Sequence, residues 1–511
     1  MKAYDAEFEA VSTARLNELF GEEYIKAVKE EKIISLRMNP EPKKDGRMKM
    51  RLLVMGHLEP HSWTVNSTMD APTANASTVK MMIALADTGA EEEVISVGDI
   101  ATAFLKSDKY SKDEPKRYVK YKAHKFAKTR VFQLLGSLYG QRDASSRWHE
   151  TLTKYLVTKE GMEQCKNDPC LFINRETKMK FIVHVDDGMC RGTLRVSQEF
   201  WKRIKERFGV KLVEFVTEDN AVLYCGILLT LKKSGEKTWY SMDQNVDLAS
   251  TMEQLRPNGV RPVTSPMPGK DEMYKCTEEL SEVEAKQFRS ELMTVAWFAN
   301  MTRIDVAHPV NRLAQYMHRP TDGARRALDR IIAYLHWRPS LSLCVCRVAQ
   351  DEYKFYVDSD HASDNPHNTR STTGIVLILN GMPVSWRSNK QPQTALSSAA
   401  AEIYAFSEAV KDAQYLVWRM EEAEHKIRRP INIMEDNKAT ISFQKSTKTN
   451  TKLRGVYNLR WQWVKELRDK GQIRAVKVDT KENIADLLTK CQTRGVVDKF
   501  LRMMNIQAES L

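Results

Sequence analysis

Along this chain the apolar positions follow two rhythms, one of period two and one near 3.6, and their alternation predicts a mixed helix-and-sheet protein. Phe181, Val183 and Val185 alternate with Ile182 and His184 in a run that reads as a buried or half-buried strand. The run ends at Asp186-Asp187-Gly188. A second β-branched run, Glu93 to Val97, ends at Asp99, and Thr102-Ala103-Phe104-Leu105 after it reads as a short helical segment. Strand-like runs at Lys49 to Gly56, Tyr118 to Tyr121 and Val131 to Leu135 lie around these, with helical periodicity at Val79 to Leu85, Trp148 to Leu156 and Phe200 to Phe208. Leu16, Leu19, Phe20, Tyr24, Ile25 and Val28 predict a leader helix within residues 1–35.

The second half changes character. Ser281-x-x-Glu284 has the form of a capping box, and Leu292, Ala296, Leu313, Ala327, Ile331 and Leu335 predict packed helices carrying no chemistry. Tyr353, Phe355 and Val357 alternate in a strand ending at Asp358; Gly374 to Leu379 is turned by Asn380-Gly381 into Val384-Ser385-Trp386. A helix opening near Ser397 presents Glu402, the strand Ile431 to Met434 ends at Glu435-Asp436, and the strand Ile473 to Val478 precedes a helix from Ile484 to Lys490 that carries Asp486. Three strands, helix, strand, helix, strand, helix is the order of the ribonuclease H fold.

Charge and composition sharpen this reading. Lys+Arg 79 against Asp+Glu 67 leaves a formal charge of +12, which favours a polyanionic partner. Basic segments recur at Lys43 to Arg47 and at Lys448, Lys452 and Arg454. No apolar run approaches the roughly 18 residues needed to span a bilayer, so no membrane role is expected. The 8 cysteines show no Cys-x-x-Cys pair, which points to free thiols in a reducing compartment; Cys344 and Cys346 are expected on one face of a strand. Adjacent aspartates at a strand tip repel one another and are usually offset by a divalent cation, and a two-metal site draws ligands from more than one strand.

Taken together, these blocks resemble the reverse transcriptase and ribonuclease H region of a copia-type retrotransposon Pol polyprotein. The carriers are Asp99 with Thr102 to Leu105, Ser137 to Gly140, His184 to Asp187, Tyr356 to Asp360, Arg370 to Gly374, Val384 to Trp386, Gln391-Pro392, Ala395 to Ser398 with Ala401-Glu402, Asp436-Asn437 and Ile484 to Lys490. The resemblance implies a multi-domain α+β protein, with right-hand polymerase fingers, palm and thumb followed by an α/β ribonuclease H-like domain. The expected division is a leader helix over 1–35, fingers and palm over 36–250, a helical thumb or connection over 251–348, a ribonuclease H-like domain over 349–495 and a tail helix over 496–511.

The same resemblance implies roles. Asp99, Asp186 and Asp187 would hold two Mg²⁺ ions, Lys49 and Arg51 would contact a dNTP triphosphate, and Phe104 would exclude a 2′-hydroxyl. Asp358, Glu402, Asp436 and Asp486 would hold two more Mg²⁺ ions against the RNA strand of a hybrid, with Mn²⁺ as an alternative metal. An RNA template, a DNA primer, RNA–DNA hybrid and dNTPs are the implied partners, and the setting is intracellular: cytoplasm, virus-like particle or nucleus. The chain departs from the family at His184, where tyrosine is usual, at Arg142-Asp143-Ala144-Ser145 in place of Lys-Gln-Ala-Pro, and at Gly455 to Asn458 in place of Lys-His-Ile-Asp. An alternative reading keeps the fold and drops the chemistry: a degenerate or host-adopted copy that only binds nucleic acid.

Overall fold

The structure is a computed structural model that describes residues 2–30, 32–42, 48–64, 68–86, 93–124, 126–235, 237–267, 277–346, 352–361, 369–445 and 456–508. The basic segments at Lys43 to Arg47 and Lys448 to Arg454, the Pro268-Gly269 pair, Cys276 and Gly455 lie outside the described residues. The chain divides into two compact units: Met1–Ala74 with Ser96–Glu214, and Asn75–Ile95 with Phe215–Leu511.

The first unit holds two sheets. One has the strand order Leu16–Glu18, Arg130–Leu134, Tyr118–Tyr121, Ile33–Pro42, Met48–Val54, over a core that includes Val11, Leu36, Leu52, Trp63 and Phe132. The other runs Val210–Phe215, Glu93–Ile100, Asp187–Thr193, Lys180–His184, Leu171–Ile173, Glu163–Gln164. Helix Leu194–Phe208 lowers Trp201 onto this sheet. It can do so because Gly98 and Gly188 have no Cβ; one would stand 2.7 Å from Trp201 at the first and 3.1 Å from it at the second.

The second unit joins a helical layer to two further sheets. Helices Glu282–Met301, Ala307–Ala314 and Asp322–Trp337 pack through Phe288, Leu292, Leu313, Leu328 and Ile331, and Ser281 and Glu284 form the expected capping box. The last sheet has the order Met382–Lys390, Thr372–Leu379, Tyr353–Asp360, Ile431–Glu435, Ile473–Lys477, antiparallel across its first three strands and parallel across the remaining pairs. Its hairpin turns at Asn380 and Gly381, whose φ values of 48° and 77° match the primed turn that this dipeptide favours. Among the described residues no helix is long and apolar enough to cross a membrane.

Four sequence expectations are corrected. Residues 2–30 do not form one leader helix: Lys2–Arg15 and Gly21–Glu30 are helices separated by the strand Leu16–Glu18, which pairs with Phe132 to Leu134. Leu16 and Leu19 are buried there, while Phe20, Ile25 and Val28 are exposed, so the apolar rhythm served a strand and a turn rather than one helix face. At the other end, the tail helix stops at Met503, and Ile506–Ala508 forms a strand against Leu341–Cys344. Asn505 at φ 53° makes the break. Cys344 is buried while Cys346, beyond the strand end, is exposed, so the two do not share a face. Asp486 sits in a 3-10 turn, Ile484–Leu488, not an α-helix.

Candidate active centres

The first centre is built on the hairpin of Lys180–His184 and Asp187–Thr193. His184 pairs with Asp187, so Val185 and Asp186 form the two-residue turn, with Val185 at φ 60°. A valine in that region is strained, and the surroundings hold it: Trp148 Nε1 donates to the Val185 carbonyl at 2.6 Å. The Ile100 amide donates to the Asp186 carbonyl at 2.8 Å, which lays the end of the Asp99 strand against the turn. Asp186 is exposed, and Asp187 and His184 are half-buried. Asp99 takes Lys211 Nζ at 2.5 Å on one oxygen, and its other oxygen is buried without a hydrogen-bond partner among the described residues.

Around this turn, Thr102 at φ 55° reverses the chain and sends Phe104 to within 5.7 Å of the Tyr139 ring, centroid to centroid. The Arg51 guanidinium lies 5.5 Å from the same ring and pairs with Glu41 at 2.9 Å, while Lys49 stands opposite Glu41 across the ladder. Arg51 is therefore already engaged by a carboxylate. Asp143, one of the departures from the family, is fully buried in a two-pronged pair with Arg117 at 2.7 and 2.9 Å and also accepts from Arg147 at 2.8 Å. Burial alone would raise its carboxyl, but the two guanidinium groups hold it below its ordinary value.

The second centre is tighter. Asp358, Glu402 and Asp436 offer carboxylate oxygens that all lie within 4.8 Å of one another, and among the described residues no other group of three or more acidic, histidine or cysteine ligands gathers so closely. Asp99, Asp186 and Asp187 do not. Asp486 joins the second centre through Asp358: Lys490 Nζ bridges them, at 2.7 Å from Asp486 Oδ1 and 3.2 Å from Asp358 Oδ2. Thr489 Oγ1 also donates to Asp358 Oδ2.

A glycine makes this approach possible. Gly374 stands opposite Asp358 in the ladder, and a Cβ there would come within 2.8 Å of the Ala485 carbonyl and of Thr489 Cγ2. Asn483 Nδ2 then pins the same segment by donating to the Val357 carbonyl at 2.9 Å.

Like charges in a dry site set the electrostatics. Burial first, then Glu435, Asp358 and Asp436, pushes the Glu402 carboxyl well above the carboxylate range. Glu435 shifts the same way, by burial and by Asp436 and Asp358. Asp486 is pushed up to about 7 by burial and by Asp358, although the Lys490 ammonium pulls the other way. Glu402 Oε2 and Glu435 Oε2 are buried with no hydrogen-bond partner among the described residues. An all-oxygen, all-carboxylate set with orphaned buried oxygens fits a hard divalent cation such as Mg²⁺ or Mn²⁺.

Sequence reasoning left Glu435, Lys490, Gly374 and Lys211 without a role at these centres. Glu435 and Lys490 each lie within four residues of a named acid, a signal that adjacency alone could have raised. The parts played by Gly374 and Lys211 needed the tertiary packing.

Comparison with known proteins agrees with this architecture. Residues 23–241 match the reverse transcriptase (RNA-dependent DNA polymerase) family. The chain is 25% identical over 472 residues to the Retrovirus-related Pol polyprotein from transposon TNT 1-94 of Nicotiana tabacum, covering 89% of this chain and 34% of that protein. It is 25% identical over 465 residues to the Transposon Ty1-LR2 Gag-Pol polyprotein of Saccharomyces cerevisiae, covering 88% and 26%. It thus spans about a third or a quarter of the length of these relatives. Its fold is shared with the solved foamy viral protease-reverse transcriptase dRH in complex with ds DNA, at a TM-score of 0.54 and 14% identity, over 94% of this chain and 70% of that one. Family match, relatives and fold agree: residues 23–241 are similar to the reverse transcriptase family, and most of the chain is similar to the Pol regions of these retrotransposon polyproteins.

Proposed function

We propose that the chain is an RNA-directed DNA polymerase with ribonuclease H activity, copying RNA into DNA and degrading the RNA strand of the hybrid. What supports the polymerase half is the turn carrying Asp186, bonded through its backbone to the strand that ends at Asp99 and Ile100. What supports the nuclease half is the convergence of Asp358, Glu402 and Asp436 within 4.8 Å.

In this reading Asp99, Asp186 and Asp187 would hold Mg²⁺ at the first centre, and Asp358, Glu402, Asp436 and Asp486 would hold it at the second. When bound, the cation supplies Lewis acidity that makes a 3′-hydroxyl or a water a better nucleophile and steadies charge on the phosphorus oxygens. The remaining work belongs to the protein. Trp148 fixes the turn that carries Asp186, and Phe104, braced on Tyr139, would be the group that excludes a 2′-hydroxyl. Lys49 and Arg51 attract the triphosphate, which for Arg51 means exchanging Glu41 for phosphate. At the second centre this reading is supported by Asp358, which lies within 4.8 Å of Glu402 and Asp436 and shares Lys490 with Asp486. The hybrid is held through its backbone.

Primer extension by the full chain on an RNA template with dNTPs and Mg²⁺ tests the first half. Incorporation that disappears in Asp186→Asn is the expected result, and no incorporation above that variant refutes it. For the second half, hybrid cleavage by the full chain should be lost in Asp436→Asn while primer extension persists; cleavage equal in both proteins rules out this centre.

A further inference from the structure

Lys490 occupies a singular position at the second centre. Its ammonium touches two carboxylates from different elements, Asp358 from the strand Tyr353–Asp360 and Asp486 from the 3-10 turn, at 3.2 and 2.7 Å. Glu402 and Asp436 approach Asp358 within 4.8 Å, neither makes an ion pair with a basic residue among the described residues although the Lys490 charge is felt at Glu402, and the buried Glu402 Oε2 is left without a hydrogen-bond partner among the described residues. The carboxylates therefore fall into two sets that share Asp358. One set is bridged by the Lys490 ammonium, and the other holds a buried carboxylate oxygen without a hydrogen-bond partner among the described residues.

From this asymmetry, and resting on the nuclease reading above, we propose that Lys490 is a built-in counter-ion standing in the second metal position. In the absence of nucleic acid the centre then takes one divalent cation, on Asp358, Glu402 and Asp436. A Mg²⁺ or Mn²⁺ ion shared by Asp358 and Asp486 would need both oxygens at about 2.0–2.2 Å, inside the volume that the Lys490 ammonium fills. The two cannot coexist. Lys490 is 41% exposed at its side chain, so it can leave toward water or toward a phosphate of a bound strand, which offers the ammonium a replacement anion. Lys490 is thus a positioning residue that ties the loading of the second cation to the arrival of the polyanion.

The test counts bound Mn²⁺ on the full chain without nucleic acid, from the electron paramagnetic resonance of the free ion. Each count is taken as the difference from the Asp358→Asn/Asp436→Asn double variant, which cancels cations held elsewhere. The proposal expects a difference of one for the native protein and two for Lys490→Met, with Lys490→Gln used if the methionine variant does not melt cooperatively. Any other pair of counts overturns it. A difference of two in the native protein would do so while leaving the nuclease reading intact, whereas zero in both proteins would remove that reading as well.

Discussion

Arg117 and Asp143 bury a full pair of opposite charges, and neither side chain is exposed at all. Such a pair contributes little net stability over apolar residues of the same size, but removing one partner strands the other in a dry site. Asp143→Ala should therefore cost about 3–5 kcal/mol in a denaturant melt, while Arg117→Met combined with Asp143→Leu should cost clearly less. An equal cost for both would mean that the pair is not the reason. His308 belongs to the same scale. It is fully buried beside Ser388 Oγ at 3.2 Å, and burial, then Arg312 and Lys390, pushes it down to about 3. Between that value and its unfolded value near 6.5 the unfolded chain binds the proton and the folded chain does not, so stability falls as pH is lowered through this window, by at most about 1.4 kcal/mol per unit. His308→Gln should flatten the pH dependence of the melting temperature between about pH 6.5 and 4.

At the scale of elements, two dockings carry testable weight. Gly374 lets the 484–489 segment lie on the sheet at Asp358, and Gly374→Ala would drive a methyl group into the Ala485 carbonyl and Leu488. Hybrid cleavage should fall at least tenfold, with primer extension kept; equal loss of both would point to general unfolding. The helix Ala76–Ala84 is held on the ribonuclease H-like fold by Arg419, which donates to Ser77 and Thr78 hydroxyls at 2.8 and 2.7 Å. Lys80 is buried 3.5 Å over the Trp386 ring and donates to the Asn300 carbonyl at 3.1 Å. Lys80→Ala removes both the cation and its aliphatic stem and should destabilise the second unit by about 2–4 kcal/mol, whereas Lys80→Met, which keeps the stem and drops the charge that burial disfavours, should cost less than half of that. Comparable losses in the two melts would assign the stabilisation to charge rather than packing.

For the molecule as a whole, the excess of 79 basic over 67 acidic side chains would make binding to a hybrid, in the function proposed above, an ion-exchange event. The logarithm of the binding constant should fall linearly with the logarithm of salt concentration, several-fold or more between 50 and 200 mM, by order of magnitude from counterion release. A flat profile would mean that base contacts or shape dominate. Removing divalent cations should lower the melting temperature of the native chain more than that of Asp358→Asn, because Glu402 and Glu435 bury carboxyl oxygens that have no hydrogen-bond partner among the described residues.

The alternation around Phe181 and Val183, the runs leading to Asp99 and Asp436, the Asn380-Gly381 turn and the Ser281 cap were legible because each is a local preference: a period, a turn dipeptide, a cap; the strand expected to end at Asp358 runs on to Asp360, because Thr372 and Thr373 extend its ladder. What chain order could not supply is which acids meet. Side chains at the ends of different strands come together only through sheet order and register, and these depend on contacts between residues far apart in sequence. That is why Asp358 and Gly374 had to be seen opposite each other before the approach of Asp486 made sense. The leader region was misread for the same reason, since Leu16 to Glu18 becomes a strand only when Phe132 to Leu134 offers it a ladder. Residue type and spacing alone determined that this chain carries acids at or near the ends of several strands, and the resemblance of the blocks around them implied a reverse transcriptase followed by a ribonuclease H. Only the tertiary structure decided that three of them close to within 4.8 Å, that Lys490 stands between two of them, and that Asp143 is a buried partner of Arg117, because burial and proximity are properties of the packed chain.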